Sequence, residues 1–305
     1  MTLISRNGTR VQALADIASE CRTRVRRCGS GGYEALSSNG QFVRCTGLVN
    51  RLQSKIMPDL PPLPSMVARN APWFLKKSRG GSSASLGKRI DWEVRHLLQC
   101  VRDVDVQRIA TSGEPFPRIK GPCPSCGLTG SGYNRRTPMF HKWTRAYLAD
   151  AHRLGMRLYA AQIPVALRAS RLGTEIDELA TDVEGVVYAI ERKTGYQDAT
   201  GKPRTRNPTP IRILDPQGST VVAELPNTYH TLHRLQGAVG GLMLAETLRG
   251  MPIAPVKIRT CVVYVSGKSR APSSQGRDHD SSLQCVWLWS TPQLESAAAR
   301  VLHLI

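Results

Sequence analysis

Acidic side chains are scarce in this 305-residue sequence: 23 Asp and Glu face 42 Lys and Arg, for a formal net charge of +19 and an isoelectric point near 10.1. A deficit of that size disfavours cationic ligands and points to a polyanion. Nucleic acid leads, ahead of ribosomal or membrane-surface association, and its binding would be strongly salt-dependent. No apolar stretch approaches the ~18 residues that span a bilayer, which excludes a transmembrane helix. The arginine-rich N-terminus lacks a secretory apolar segment, and Asp16 and Glu20 there count against an organelle transit peptide. No segment repeats, so a solenoid or propeller is excluded. The eight cysteines lack the even spacing of a secreted disulfide framework, so most are expected reduced, in a soluble, intracellular protein.

The charge that is present is unevenly placed. Residues 1–89 carry fifteen Lys and Arg and only four acids, Asp16, Glu20, Glu34 and Asp59. Residues 1–83 therefore read as a basic, partly helical extension ahead of a core at 84–305. The run KKSRGGSSASLGKR (76–89) joins cations, Lys88 and Arg89 among them, to glycine and serine. Such a backbone can approach phosphates closely or serve as a plain linker. From Ala199 to Leu214 there is no acid, and Lys202, Arg204, Arg206 and Arg212 mark a basic insertion. Following directly on Lys193, it is placed to wall a nucleic-acid channel.

The densest chemistry lies in GTEIDELATDVEGVVYAIERKTG, residues 173–195. VVYAIERK alternates as a strand does, so Val187, Ala189, Glu191 and Lys193 share one face and Val186, Tyr188, Ile190 and Arg192 the other. Glu191 and Lys193 then project into one space, roughly 7 Å apart at about 3.3 Å per residue. A reversal through Asp182, Glu184 and Gly185 returns Gly173 to Leu179 as an antiparallel neighbour and sets Asp177 beside Glu191. Adjacent carboxylates repel unless a cation lies between them, and hard oxygen ligands suit Mg²⁺ or Mn²⁺. A lysine beside such an ion can hold or help deprotonate a water and offset charge growing on a phosphorane.

Through Gly173, Ile176, Asp177, Glu191, Lys193, Thr194 and Gly195 the segment resembles the PD-(D/E)XK nuclease superfamily. It is most similar to the branch of RecB nuclease domains and lambda exonuclease, whose cores read G-x-I-D and then D/E-x-K-T-G. The resemblance implies an α/β fold, a mixed central β-sheet flanked by helices, as in restriction endonucleases. It implies metal ligation by Asp177, Glu191 and the backbone carbonyl of Arg192, with Lys193 catalytic. It implies DNA as partner, with RNA as the alternative.

Two flanking segments extend the resemblance to about residues 84–302. GKRIDWEVRHLLQC (87–100) places Ile90, Val94, Leu97 and Leu98 on one helical stripe. RecB-like nucleases open with a helix reading G-x-x-V-H, whose histidine is often a metal ligand. Here Gly87 and Ile90 match and Asp91 holds the histidine position. Asp91 is the first choice for a third ligand and Glu93 the second; stabilising the first helical turn is the competing role for both. TYHTLHRLQGAVGGLMLAETL (228–248) reads as a helix with Leu232, Leu235, Val239, Leu242 and Leu244 apolar, and three glycines that weaken it or let it pack closely. Gln236 stands where the branch carries a glutamine near its active site, although the tyrosine expected a turn later is Gly240, and a solvated glutamine fits as well. Strands are expected at 156–168, 256–267 and 283–290, and a capped helix after Thr291.

Cys123 and Cys126 in GPCPSCGLTG, inside an insertion at 101–137, form the kind of knuckle that wraps two thiolates around zinc. One knuckle supplies half a site; His96 and Cys100 complete it on paper, and a plain turn fits equally. Cys261 and Cys285 stand alone, which argues against an iron–sulfur cluster. His279, between Asp278 and Asp280, lies in a Gly-, Pro- and Ser-bearing segment that reads as solvated loop. Trp287 and Trp289 share a strand face and are expected to pack, whereas Trp73 or Trp143 stack on bases only if exposed.

The expectation is a Mg²⁺- or Mn²⁺-dependent deoxyribonuclease, with exonuclease ahead of endonuclease or resolvase on the resemblance of the glutamine-bearing helix. A nucleic-acid-binding protein that keeps the fold without catalysis is the second reading and a zinc-knuckle interaction module the third. The intact Asp177, Glu191 and Lys193 favour the first, because a binder has no use for repelling carboxylates.

Overall fold

A computed structural model of the chain describes residues 9–28, 32–36, 39–57, 83–100, 142–167, 169–194, 209–215, 217–249, 257–267 and 283–305. The elements are α1 (Thr9–Arg24), β1 (Val25–Arg27), β2 (Tyr33–Leu36), β3 (Phe42–Gly47), α2 (Leu48–Lys55), α3 (Ser83–Cys100) and α4 (Lys142–Arg153). They continue with β4 (Arg157–Leu167), β5 (Leu172–Thr181), β6 (Val187–Thr194), β7 (Ile211–Leu214), β8 (Val221–Leu225), α5 (Tyr229–Leu248), β9 (Ile258–Gly267), β10 (Leu283–Trp289) and α6 (Pro292–Leu304). Together they form an α/β protein with a mixed central sheet flanked by helices. None of the described helices is long and apolar enough to cross a membrane.

The sheet runs β1-β2-β3-β5-β6-β9-β10, with β4 paired to β5 off that path. β3–β5 and β6–β9 are parallel and the remaining pairs antiparallel. The alternation in VYAIERK sends Val187 and Ala189 to one core and Tyr188 and Ile190 to the other, as the period of a strand requires. The hairpin between β5 and β6 closes on Asp182, whose side chain accepts from the Val186 N–H (3.0 Å) and from the Tyr188 hydroxyl (2.7 Å). Such a local carboxylate bond to the backbone is what makes aspartate a turn residue.

β5 has three neighbours, and a strand has two edges. β4 pairs with β5 from Leu172 to Thr181, so β3 and β6 share the opposite edge. β3 takes Leu172 and Gly173 there, and β6 takes Glu178 to Thr181. The sheet therefore forks, and the stretch from Thr174 to Asp177 faces the fork. Gly173 is needed at its base: a Cβ there would lie 2.5 Å from the Tyr33 Cβ of β2.

One core fills the face covered by α1, α2, α5 and α6, and a second fills the face covered by α3 and α4. The segment expected as a basic N-terminal extension is instead woven into the first of these. Ile17 and Cys21 of α1, Leu48 and Leu52 of α2 and Met57 are buried there with Leu235 and Val239 of α5. β3 carries that segment into the central sheet. The Cys123–Cys126 knuckle with its insertion, Lys202, Arg204, Arg206, Trp73 and His279 lie outside the described residues.

α5 is buried nearly all round, and Thr228 caps its start by accepting from the Thr231 N–H (3.1 Å). Gly241 serves close packing: a Cβ there would meet Thr260 Cγ2 of β9 at 2.3 Å, whereas one on Gly240 would make only an ordinary contact with Ile176 Cγ1 at 3.8 Å. Gly241→Ala is expected to destabilise the fold by about 1–3 kcal/mol through overpacking. Adding Thr260→Ala should recover most of the loss in chemical denaturation; an additive double mutant would show that the contact is not what matters.

Candidate active site

Asp177 sits where β5 enters the fork, next to the last rung of the β5–β6 ladder, Glu178 opposite Ile190. Its Oδ2 accepts the backbone N–H of Arg192 (2.7 Å), so a side chain closes the pairing where the ladder stops. Across the other edge of β5, Gln162 of β4 adopts a left-handed φ of 56° between rungs at Ile163 and Ala161. Gln162 lies opposite Asp177 in an unbroken register, and the register shift of this ladder lies between Leu158 and Ala160. Asp177 comes beside Glu191, as the sequence implied.

Glu191, Lys193 and Gln236 meet on the α5 face. Lys193 Nζ donates to Glu191 Oε1, and Gln236 Nε2 donates to the same oxygen at 2.7 Å. Gln236 is buried rather than solvated, and its Oε1 has no hydrogen-bond partner. Gly237 packs beside Glu191, and a Cβ there would make an ordinary contact with the Glu191 Cβ at 3.8 Å. Beyond Lys193, His233 Nδ1 shares a hydrogen bond of 2.8 Å with the Tyr264 hydroxyl, and His230 stacks on the Tyr264 ring at 4.3 Å. Burial, helped by the charge of Lys193, holds the His233 pKa well below the usual imidazole range.

Arg192 points to the opposite face. Its guanidinium binds Glu178 Oε1 (2.6 Å) and Asp91 Oδ1 of α3 (2.9 Å), and lies 5.3 Å above the Tyr147 ring of α4. The Tyr147 hydroxyl donates to the other Glu178 oxygen at 3.2 Å. The side chains of Arg192 and Glu178 are 2% and 0% exposed, so solvent does not screen the pair. Removing one partner of such a pair costs roughly 3–5 kcal/mol, because it strands the other charge. Asp91, the first-choice third ligand, pairs with Arg192 through Oδ1, has a side chain 41% exposed and bears on Asp177 through its charge. Glu93, the other candidate, is fully buried and accepts from the Thr144 hydroxyl.

The electrostatics favour a cation at the fork. Burial pushes the Asp177 carboxyl well above the usual carboxylate range, and Glu191, Asp91 and Glu178 push it further against the opposing charge of Lys193. Arginines lie around this acid patch: Arg27 of β1 pairs with Glu175 at 3.0 Å, and Arg22 and Arg95 act on Glu175 through their charge. Arg212 projects from the β7–β8 hairpin, two-thirds exposed, with Glu224 4.0 Å away. Lys88 and Arg89 lie on α3. Trp287 stacks on Tyr147 and on Trp289, so the tryptophan pair packs as expected. Cys261 and Cys285 are free thiols; burial raises the Cys285 pKa to about 12 and that of Cys261 further.

Sequence reasoning missed Glu178, Tyr147 and Tyr33. Glu178 was legible only as the second acid of an Asp-Glu pair, and nothing in the sequence joined Tyr147 to it or Tyr33 to Gly173. Among the described residues no three of His, Cys, Asp or Glu are gathered closely enough to hold a metal by themselves. The donor set that does fit a hard divalent ion is smaller: the Asp177 and Glu191 carboxylates with the Arg192 carbonyl, waters completing the shell. Burial first, and then the Glu191 charge, disfavour an ionised Asp177 without a cation beside it. No protein-family model matches the chain, and no curated protein matches it.

Proposed function

We propose that this protein is a divalent-metal-dependent nuclease built on a restriction-endonuclease-like core, hydrolysing phosphodiester bonds in DNA, with DNA ends as the favoured substrate. One observation carries the reading: two acids from β5 and β6 come together at the sheet fork, with Lys193 on the same face of β6 as Glu191. Asp177, Glu191 and the Arg192 carbonyl would hold Mg²⁺ or Mn²⁺. The ion would polarise the phosphate and lower the pKa of a bound water. Lys193 supplies a positive charge that steadies the pentacovalent phosphorus and orients the incoming water. Gln236 fixes Glu191 by donating to Oε1, which leaves its second oxygen to the ligand. The excess of Lys and Arg over acids attracts the polyanion.

The test is incubation of purified protein with end-labelled linear and closed circular DNA in Mg²⁺, Mn²⁺ or chelator. Degradation of linear DNA alone identifies an exonuclease, and nicking of circles identifies an endonuclease or resolvase. DNA bound but left intact with either metal would replace the reading by a binding protein that keeps the fold. Zinc bound with no metal-dependent cleavage would favour an interaction module built on Cys123 and Cys126.

A further inference from the structure

Arg192 holds two consecutive residues of the neighbouring strand by two different parts of itself. Its backbone N–H donates to Asp177, and its guanidinium donates to Glu178 through Nε (3.2 Å) and Nη2 (2.6 Å). These bonds lie where the β5 edge has left β3 and the β5–β6 ladder has reached its last rung. On that edge, among the described residues, no backbone pairing holds Asp177, and β4 pairs along its other edge. The guanidinium is itself fixed from two helices, by Asp91 of α3 and by the Tyr147 ring of α4, and Tyr147 also holds Glu178.

We propose that the Arg192 guanidinium is a positioning residue: by clamping Glu178, it sets the distance between β5 and β6 at the fork and so places Asp177 against Glu191. The clamp tolerates little change because its geometry is planar and shared. A guanidinium offers donors in a fixed fork and reaches Glu178 and Asp91 together, whereas an ammonium is a single point of attachment. Released from the clamp, β5 keeps β4 on its far edge but loses the tie that draws its fork edge toward β6. The Arg192 N–H bond to Asp177 then opens more often, and the two acids no longer meet at a fixed spacing. Groups that support a metal ligand from behind commonly change metal affinity 10–100-fold when removed.

This inference rests on the proposed nuclease reading only for its metal readout; the clamp itself is read without metal. Two variants are compared with the wild type: Arg192→Lys, and Arg192→Met combined with Glu178→Met, which replaces the buried pair by apolar side chains of similar volume. Backbone amide exchange at position 192, followed by NMR, measures how often the bond to Asp177 opens. Calorimetric titration with Mn²⁺ measures the affinity of the acid pair. The expected result is a folded double variant in which that amide exchanges at least about tenfold faster and Mn²⁺ binds about 10–100-fold more weakly. Arg192→Lys should fall between it and the wild type. A folded double variant with unchanged exchange at position 192 would overturn the proposal and leave Arg192 as one half of a core ion pair. If the double variant does not fold, Arg192→Lys decides on the same exchange measurement. A wild-type protein that neither binds Mn²⁺ nor cuts DNA would end the nuclease reading, while the exchange comparison still decides the clamp.

Discussion

Lys193→Ala is expected to lower metal-dependent DNA cleavage by about 10²–10³-fold at saturating Mg²⁺, the usual loss when one preorganised donor to a developing negative charge is removed. DNA affinity should change far less, because Lys193 is one of 42 Lys and Arg and acts on the reacting phosphate rather than along the duplex. Its side chain is about one-fifth exposed and paired with Glu191, which keeps Gln236 as a second partner. The variant should therefore fold, and its melting temperature serves as the control. Turnover within about threefold of wild type would remove Lys193 from the mechanism. An equal loss of cleavage and of DNA binding would make it a binding residue only.

Asp177→Asn should abolish cleavage and, at neutral pH with chelator, raise stability. The sign follows from the direction of the pKa shift. Burial first, and then Glu191, Asp91 and Glu178, push the folded-state pKa above the unfolded value of about 3.9. Between the two values the folded state holds the proton more tightly, so stability is full below about pH 4 and falls as pH rises through the folded pKa. Asparagine can still accept the Arg192 N–H but carries no charge. The variant should melt higher than wild type at pH 7 and no higher at pH 3.5, and its melting should lose any response to Mg²⁺. A variant less stable at pH 7 would show that the buried Asp177 charge costs nothing, and one that Mg²⁺ still stabilises as it does the wild type would show that Asp177 is not a ligand.

Local chemistry was legible in the sequence to the extent that it depended on neighbours along the chain. Period-two alternation in VYAIERK fixed which side chains share a face, and Glu191 and Lys193 do share one. Thr291 was visible as a helix start because a cap is a short-range hydrogen bond, and its side chain accepts as expected. The Asp182 turn was readable for the same reason. The N-terminal segment was not, since charge counts describe a surface and say nothing of a parallel pairing as brief as Thr46 with Leu172 and Gly47 with Gly173. α5 also read less clearly than it packs: a helix buried on nearly every side shows no polar stripe to mark its orientation.

The sequence by itself determined the strands β4, β5, β6, β9 and β10 and the helices α3, α5 and α6, the reversal that turns β5 back as β6, and a charge balance suited to a polyanion. Those properties follow from periodicity, turn chemistry and counting. Tertiary structure alone decided that β3 and β6 divide one edge of β5 and open the fork. It also decided that Arg192 turns away to hold Glu178 and Asp91, and that Tyr33 lies against Gly173. Each of these joins residues distant in the chain, where contact is set by how packed layers meet and not by any local preference.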